Sequence, residues 1–215
     1  MSLAFPAAEP VTLAIQGSEQ RFPVHRVYCV GRNYAEHVKE MGGEVGRDPP
    51  FFFAKPPDAL VADGRFPYPS MTADVHHEVE LVVALGPDAK IFGHAVGLDM
   101  TRRDLQAAAK KLGRPWEVAK GFDNSAPIGP IVPGGTALSS GAITLDVNGK
   151  RRQAGDISEM IWNIPEIIAE LGELFTLKPG DLIFTGTPSG VGPVVKGDRL
   201  HAEIAGVGTL AVDVI

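Results

Sequence analysis

A single cysteine, Cys29, stands in this chain of 215 residues. No intrachain disulfide can form, and a zinc site built on several thiolates is excluded. Cys29 lies in the apolar run Val27-Tyr28-Cys29-Val30 and reads as a buried strand residue rather than a nucleophile. Basic residues are scarce too: 20 Lys and Arg against 26 Asp and Glu leave a net charge of −6. That balance argues against a nucleic-acid partner, which needs clustered Lys and Arg. The pairs Arg102-Arg103 and Arg151-Arg152 sit among acids and read as solvated faces. No apolar run reaches the ~18 residues that span a bilayer. The beginning of the chain lacks the basic-then-apolar pattern of a secretory signal. The expectation is a cytoplasmic protein with no membrane partner.

What the chain has in quantity is glycine (25) and proline (18). Short apolar runs between them predict many short strands joined by tight turns. Strands are expected near Val27–Val30, Phe51–Ala54, Glu78–Leu85, Ala95–Leu98, Ile143–Val147, Asp181–Thr185, Arg199–Ile204 and Gly208–Val214. Asn148-Gly149 marks a hairpin. Three short helices are expected: one capped by Asn33 and ended by Gly42-Gly43, one opened by a Thr101–Asp104 capping box and stopped by Gly113, and one running from Pro165 to about Leu174. Regular βα alternation is missing, so the fold class is α+β, mainly β. Residues 1–25 read as a short arm or small separate sheet.

The chemistry concentrates in His76-His77-Glu78-Val79-Glu80-Leu81. Residues two apart on a strand share a face, so Glu78 and Glu80 project side by side. Two carboxylates on a largely apolar strand repel each other, and a hard divalent cation between them relieves this. Spacing alone also fits two solvent-facing glutamates at a strand end. Asp99 shifts the balance, because it closes the apolar run Ala95-Val96-Gly97-Leu98 as a third acid. His76 and His77 could be ligands, though a histidine beside a metal carboxylate more often packs against it or orients it.

His37 and Glu40, three apart on a predicted helix, share a face and could take a proton from water. The same spacing fits an incidental contact on an exposed helix. The adjoining Gly42-Gly43 would suit a mobile lid. Thr185-Gly186-Thr187-Pro188-Ser189-Gly190-Val191-Gly192 could hold an anion on its amides or be a plain tight turn; it is not a P-loop. Lys120 sits in an apolar setting, partly buried or snorkelling.

Four stretches in this order, Tyr28–Tyr34, His76–Leu81, Gly97–Asp104 and Thr185–Gly192, resemble the fumarylacetoacetate hydrolase family, most strongly its acylpyruvate and fumarylpyruvate hydrolase branch. The resemblance covers the chain from about Val27 to the end, and makes residues 26–215 one catalytic domain. It implies a rolled mixed β-sheet, a homodimer, and Mg²⁺ or Mn²⁺ on Glu78, Glu80 and Asp99. It further implies a water-activating His37–Glu40 dyad on a lid, and a role for Lys120 in stabilising the developing pyruvate enolate. Arg103, Gln106, Thr187 and, more weakly, Lys55 match positions around the substrate. The implied reaction is hydrolysis of a 2,4-dioxo acid to pyruvate and a carboxylic acid; oxaloacetate decarboxylation and 2-hydroxymuconate-type isomerisation are alternatives at the same site, and a non-enzymatic metal-binding protein is the reading from another class. One departure stands out. The link Gly86–Phe92 between the Glu80 and Asp99 strands is shorter than in relatives by roughly ten residues, reflecting a short loop or an omitted segment.

Overall fold

Period-2 patterning organises the two main layers. The computed structural model describes residues 3–215, so the first two residues of the expected arm lie outside it. A six-stranded sheet runs in the order Val132–Pro133, Ile91–Leu98, Val79–Leu85, Leu182–Phe184, Val27–Gly31, Phe51–Lys55. Only Leu182–Phe184 and Val27–Gly31 pair in parallel within it. A five-stranded sheet runs Lys150–Asp156, Ala142–Val147, Arg199–Ile204, Gly208–Val214, Arg65–Phe66. The architecture is α+β and mainly β, as expected.

Every residue of Val79–Leu85 is buried, because both faces of the larger sheet are covered. Val79, Leu81, Val83 and Leu85 share one cluster with Ile143, Leu145, Leu200 and Val212 of the second sheet. Val82 and Ala84 point the other way, toward Leu13, Ile15 and Phe22. These last three come from the hairpin Thr12–Ala14/Arg21–Pro23 and the residue just after its first strand. Each such side chain contributes roughly 1.5–3 kcal/mol by leaving water, and that burial carries the polar groups brought in with the strand. Cys29 is fully buried in the same cluster, and burial pushes its thiol pKa well up, so it is no nucleophile.

The Asn148-Gly149 turn is present, with both residues at positive φ (52° and 72°) as a type I′ hairpin requires. Arg199–Ile204 and Gly208–Val214 keep their expected bounds. Other expectations need correction. The Glu78–Leu85 strand is interrupted at Glu78, and the Asp99-side strand begins earlier, at Ile91. Helix Ala35–Glu40 is not capped by Asn33. The Asn33 amide instead donates to the carbonyls of Trp162 (3.0 Å) and Thr185 (2.8 Å), tying two loops together. Helix Arg103–Leu112 lacks the Thr101–Asp104 capping box, since Thr101 belongs to a strand and Asp104 accepts from Thr72 at 2.7 Å. Gly113 does end that helix, in the left-handed conformation. Helix Ile164–Leu174 opens with a box formed by Asn163 and Glu166.

The short link closes the ladder directly. Pro87–Ala89 form one tight turn with Asp88 and Ala89 at positive φ (58° and 53°), and the Gly86 N–H donates to the Lys90 carbonyl at 2.8 Å. The flanking strands pair continuously from Val79–Leu98 to Leu85–Ile91, with one bulge.

Candidate active site

The three acids meet at a seam between sheets. A small three-stranded sheet pairs Val75–His77 with Thr101–Arg102 on one side and Gly192–Val194 on the other. The chain leaves this sheet at Glu78 to enter the six-stranded one, and the return strand leaves the larger sheet at Asp99. Pairing keeps one register through both sheets, so Glu78 and Asp99 lie opposite each other. Glu80 is two residues further in, paired with Gly97. A Cβ on Gly97 would lie 2.6 Å from both Phe184 and Val82, so glycine is needed there for the strands to close. Ligand atoms of Glu78, Glu80 and Asp99 fall within 4.8 Å of one another, and all three residues are buried. His76 and His77 do not join them. His76 Nε2 is engaged by Asp74 at 2.9 Å and His77 Nδ1 by Gln153 at 2.9 Å.

Cations surround the acids unevenly. Lys120 Nζ donates to Glu78 Oε2 (2.8 Å) and Asp99 Oδ2 (2.7 Å), while Arg103 pairs with Glu78 Oε1. Burial opposes ionisation of Glu78, yet Lys120 and then Arg103 hold its carboxyl well below the usual range. Burial would lower the Lys120 ammonium, but Asp99 and Glu78 outweigh it and raise its pKa. Among the described residues Glu80 has no cation in contact, and its one strong partner is the Gly186 N–H at 2.8 Å. Burial, then the charges of Asp99 and Glu78, push its carboxyl well up. Three buried carboxylates, one of them with no contacting cation among the described residues, form a hard-oxygen donor set that fits a divalent cation such as Mg²⁺ or Mn²⁺.

Lys55 is corrected from a substrate contact to a support. Its side chain is wholly buried, and Nζ lies 2.8 Å from Asp99 Oδ1. The ammonium also donates to the carbonyls of Lys120 and Ser125 and to Ser125 Oγ. Those partners use its donors, so it stands behind Asp99 and does not line the cleft. It also alters the charge balance: three carboxylates face three contacting cations, Lys55, Lys120 and Arg103, before any metal is counted.

The other expected residues gather around the acids. His37, Arg103, Gln106, Lys120 and Thr187 line one cleft with the triad. Gln106 Oε1 accepts from Arg103 at 2.7 Å, which leaves its amide nitrogen for the cleft. His37 Nδ1 lies 3.2 Å from Glu40 Oε2, and Glu40 Oε1 accepts from the Gly190 N–H at 2.9 Å. The dyad helix is thus docked on the Thr185–Gly192 loop, with Tyr34 and Val38 buried beneath it. Two amides of that loop, Gly186 and Gly190, are committed to protein carboxylates, which narrows the anion-holding expectation to Thr187 and its neighbours. Gly190, at φ 96°, must be glycine because a Cβ would lie 2.0 Å from the Arg152 carbonyl oxygen.

One residue escaped sequence reasoning. Gln153, fully buried on the five-stranded sheet, accepts from Val79 N–H (3.1 Å) and meets His77 Nδ1 with the same oxygen. Its amide nitrogen donates to Thr187 Oγ1 (2.8 Å) and the Pro188 carbonyl (2.8 Å). With Oγ1 acting as acceptor, the Thr187 hydroxyl proton is left to donate into the cleft. Nothing in Lys150-Arg151-Arg152-Gln153 signals this, because the run looks solvent-facing.

Comparison with known proteins finds relatives across most of the chain. A fumarylpyruvate hydrolase from Pseudomonas aeruginosa, crystallised with Mn²⁺ and pyruvate, superposes with a TM-score of 0.96 at 48% identity, covering 100% of this chain and 99% of that one. A fumarylpyruvate hydrolase of a Ralstonia species is 43% identical over 176 residues, 76% of this chain and 92% of the relative. An oxaloacetate tautomerase of Escherichia coli is 42% identical over 206 residues, 89% of this chain and 93% of the relative. Residues 26–215 match the family model described as fumarylacetoacetate (FAA) hydrolase C-terminal, and the chain belongs to the fumarylacetoacetate hydrolase family.

Proposed function

We propose that this protein is a divalent-metal-dependent hydrolase of acylpyruvates, with fumarylpyruvate as the leading substrate, releasing pyruvate and a carboxylic acid. The observation that carries this reading is the placement of a His37–Glu40 dyad beside a buried triacid platform in one cleft. The Pseudomonas relative supports it through its substrate class and its Mn²⁺ and pyruvate.

Mg²⁺ or Mn²⁺ held by Glu78, Glu80 and Asp99 would supply Lewis-acid polarisation of the 2-oxo acid end. The chain's own residues account for the rest. His37, oriented by Glu40, takes a proton from the water that attacks the 4-oxo carbon. The C3–C4 bond breaks, the acyl carbon leaves as the carboxylic acid, and the electron pair remains on the pyruvate enolate, which is then protonated at C3. Lys120 and Arg103 border this end of the cleft. Gln106 Nε2 and the Thr187 hydroxyl are donors for the pyruvate carboxylate. Because cations and acids balance before the metal is counted, the loaded site carries excess positive charge, which matches the two negative charges of a pyruvate enolate.

A second reading is enolate chemistry on oxaloacetate without an attacking water, favoured by the E. coli relative. Loss of fumarylpyruvate, followed by ultraviolet absorbance beside oxaloacetate turnover, with Mg²⁺ and with EDTA, separates the two. Metal-dependent release of stoichiometric pyruvate and fumarate is expected; turnover of oxaloacetate alone would overturn the hydrolase reading. The family resemblance supports a homodimer, and the buried free thiol of Cys29 suits a reducing compartment such as the cytoplasm.

A further inference from the structure

The cleft carries two cations that the chemistry above leaves unused. Arg103, Gln106 and Lys110 are spaced i, i+3, i+7 on helix Arg103–Leu112 and all line the cleft. Arg103 marks the metal end through Glu78. Lys110 lies two turns further on, about 10 Å along the helix axis. Its ammonium is held 5.0 Å from the ring centre of Trp116. Arg32 lines the same cleft from the end of strand Val27–Gly31, in a left-handed conformation (φ 59°) that a non-glycine residue adopts at a cost. Arg103 and Lys120 have carboxylate partners; among the described residues Arg32 and Lys110 have none. Burial and then the charges of Arg103 and Arg32 lower the Lys110 pKa, as two cations gathered at one opening would.

We propose that Arg32 and Lys110 receive a second carboxylate at the far end of the substrate, so that the site selects long dicarboxylic 2-oxo acids over those with an uncharged acyl group. The proposal rests on the oxo-acid reading of the triad end, and adds a ruler to it. Fumarylpyruvate has a carboxylate at each end of a seven-carbon chain, and its fumaryl end would reach toward Lys110. Oxaloacetate, with only four carbons, holds its second carboxylate near the metal end and leaves these cations unused. Phe53 and Trp116 wall the stretch between the two ends and suit the flat, conjugated part of such a molecule.

Calorimetric titration of the Mn²⁺-loaded protein with 2-oxoadipate and with 2-oxohexanoate tests this. The two probes have equal carbon number and differ in the distal carboxylate. Neither has a 4-oxo carbon, so neither can be hydrolysed. The wild type is expected to bind 2-oxoadipate at least about tenfold more tightly, the gain of one charge-assisted contact. Lys110→Gln and Arg32→Gln, both at exposed positions, are each expected to shrink that ratio, and the double variant to bring it below about twofold. Lys110→Arg should restore part of it. Equal affinity of the wild type for both probes, a ratio that survives in the double variant, or no binding of 2-oxoadipate at all would overturn the proposal. Failure of the hydrolase reading shows separately, as a wild type that binds these acids and leaves fumarylpyruvate intact.

Discussion

The main-chain N–H of Asp99 donates to the carbonyl of Glu78 at 2.9 Å, at the point where both strands cross from the six-stranded sheet to the three-stranded one. This single backbone bond carries the strand register across the seam and sets two carboxylates opposite each other. Glu80, two residues along, completes the group from the strand interior. The site is therefore positioned by sheet pairing rather than by a flexible loop.

Glu80 is the acid with the largest unmet need. It is buried, without a contacting cation among the described residues, and its carboxyl is pushed well up by burial and by its acidic neighbours. Glu80→Gln is expected to abolish measurable Mn²⁺ binding in calorimetry and to reduce turnover by at least about 100-fold. The metal-free variant should also melt about 2–4 °C above the metal-free wild type, the shift that about 1 kcal/mol makes in a chain of this size. Metal should raise the melting temperature of the wild type and leave the variant unmoved. A variant that retains full Mn²⁺ affinity would remove Glu80 from the metal site.

The dyad divides the two candidate reactions. His37→Ala should lower hydrolysis of an acylpyruvate by about 10²–10⁴-fold, the usual contribution of a general base. Glu40→Gln should lower it less, since it only orients the ring. Oxaloacetate turnover, which needs no attacking water, should fall by far less in both. Parallel assays of the two substrates check this, and the role of His37 fails if hydrolysis persists while oxaloacetate turnover drops.

How much of this was legible beforehand follows from the reach of each signal. Val79-Glu80-Leu81-Val82-Val83 announces a strand by composition, and two-residue spacing puts Glu78 and Glu80 together. Asn148-Gly149 fixes its hairpin because the turn demands positive φ locally. The break at Glu78 was invisible, since it depends on a partner, Gly192–Val194, more than 100 residues away. Asn33 and Thr101 have the local context of caps, but Asn33 donates to the Thr185 carbonyl 152 residues away and Thr101 is held in a strand that pairs with Val75–His77. The family resemblance alone points to Lys55 as a substrate contact, and its short local context carries no sign that Asp99, Ser125 and the Lys120 carbonyl occupy it.

Asp181 gives the fold a readable acid dependence. Its buried carboxylate accepts from Arg26 (2.7 Å) and from the Lys178 N–H (2.8 Å), and lies 2.7 Å from His25. Burial opposes its ionisation, but the Arg26 bond and then the Lys178 and His25 contacts hold its pKa below the ordinary value. An acid with a depressed folded pKa stabilises the fold fully above its unfolded value, near 4, and loses that contribution as pH falls through the lower folded value. Asp181→Asn should cost about 1–2 kcal/mol at pH 7, allowing for solvent around Arg26 and His25. Urea unfolding at pH 7, 4 and 3 should show the gap between wild type and variant narrowing below pH 4. A constant gap would assign the effect to shape rather than charge.

Gln153 ties the second sheet to the Thr185–Gly192 loop, and its two ends can be separated. Gln153→Leu leaves the Val79 N–H and the Pro188 carbonyl without partners, at about 1–3 kcal/mol for each buried group left unmade. It also frees the Thr187 hydroxyl to donate elsewhere, so KM for the acylpyruvate should rise together with the loss of stability. Thr187→Val removes the hydroxyl while leaving the Val79 side of Gln153 intact, and should raise KM with a smaller stability loss. If Gln153 acts on substrate through Thr187, the KM effects of the two substitutions will not add, and the double variant will resemble Thr187→Val in KM. Additive effects in this double-mutant cycle would confine Gln153 to holding the sheets together.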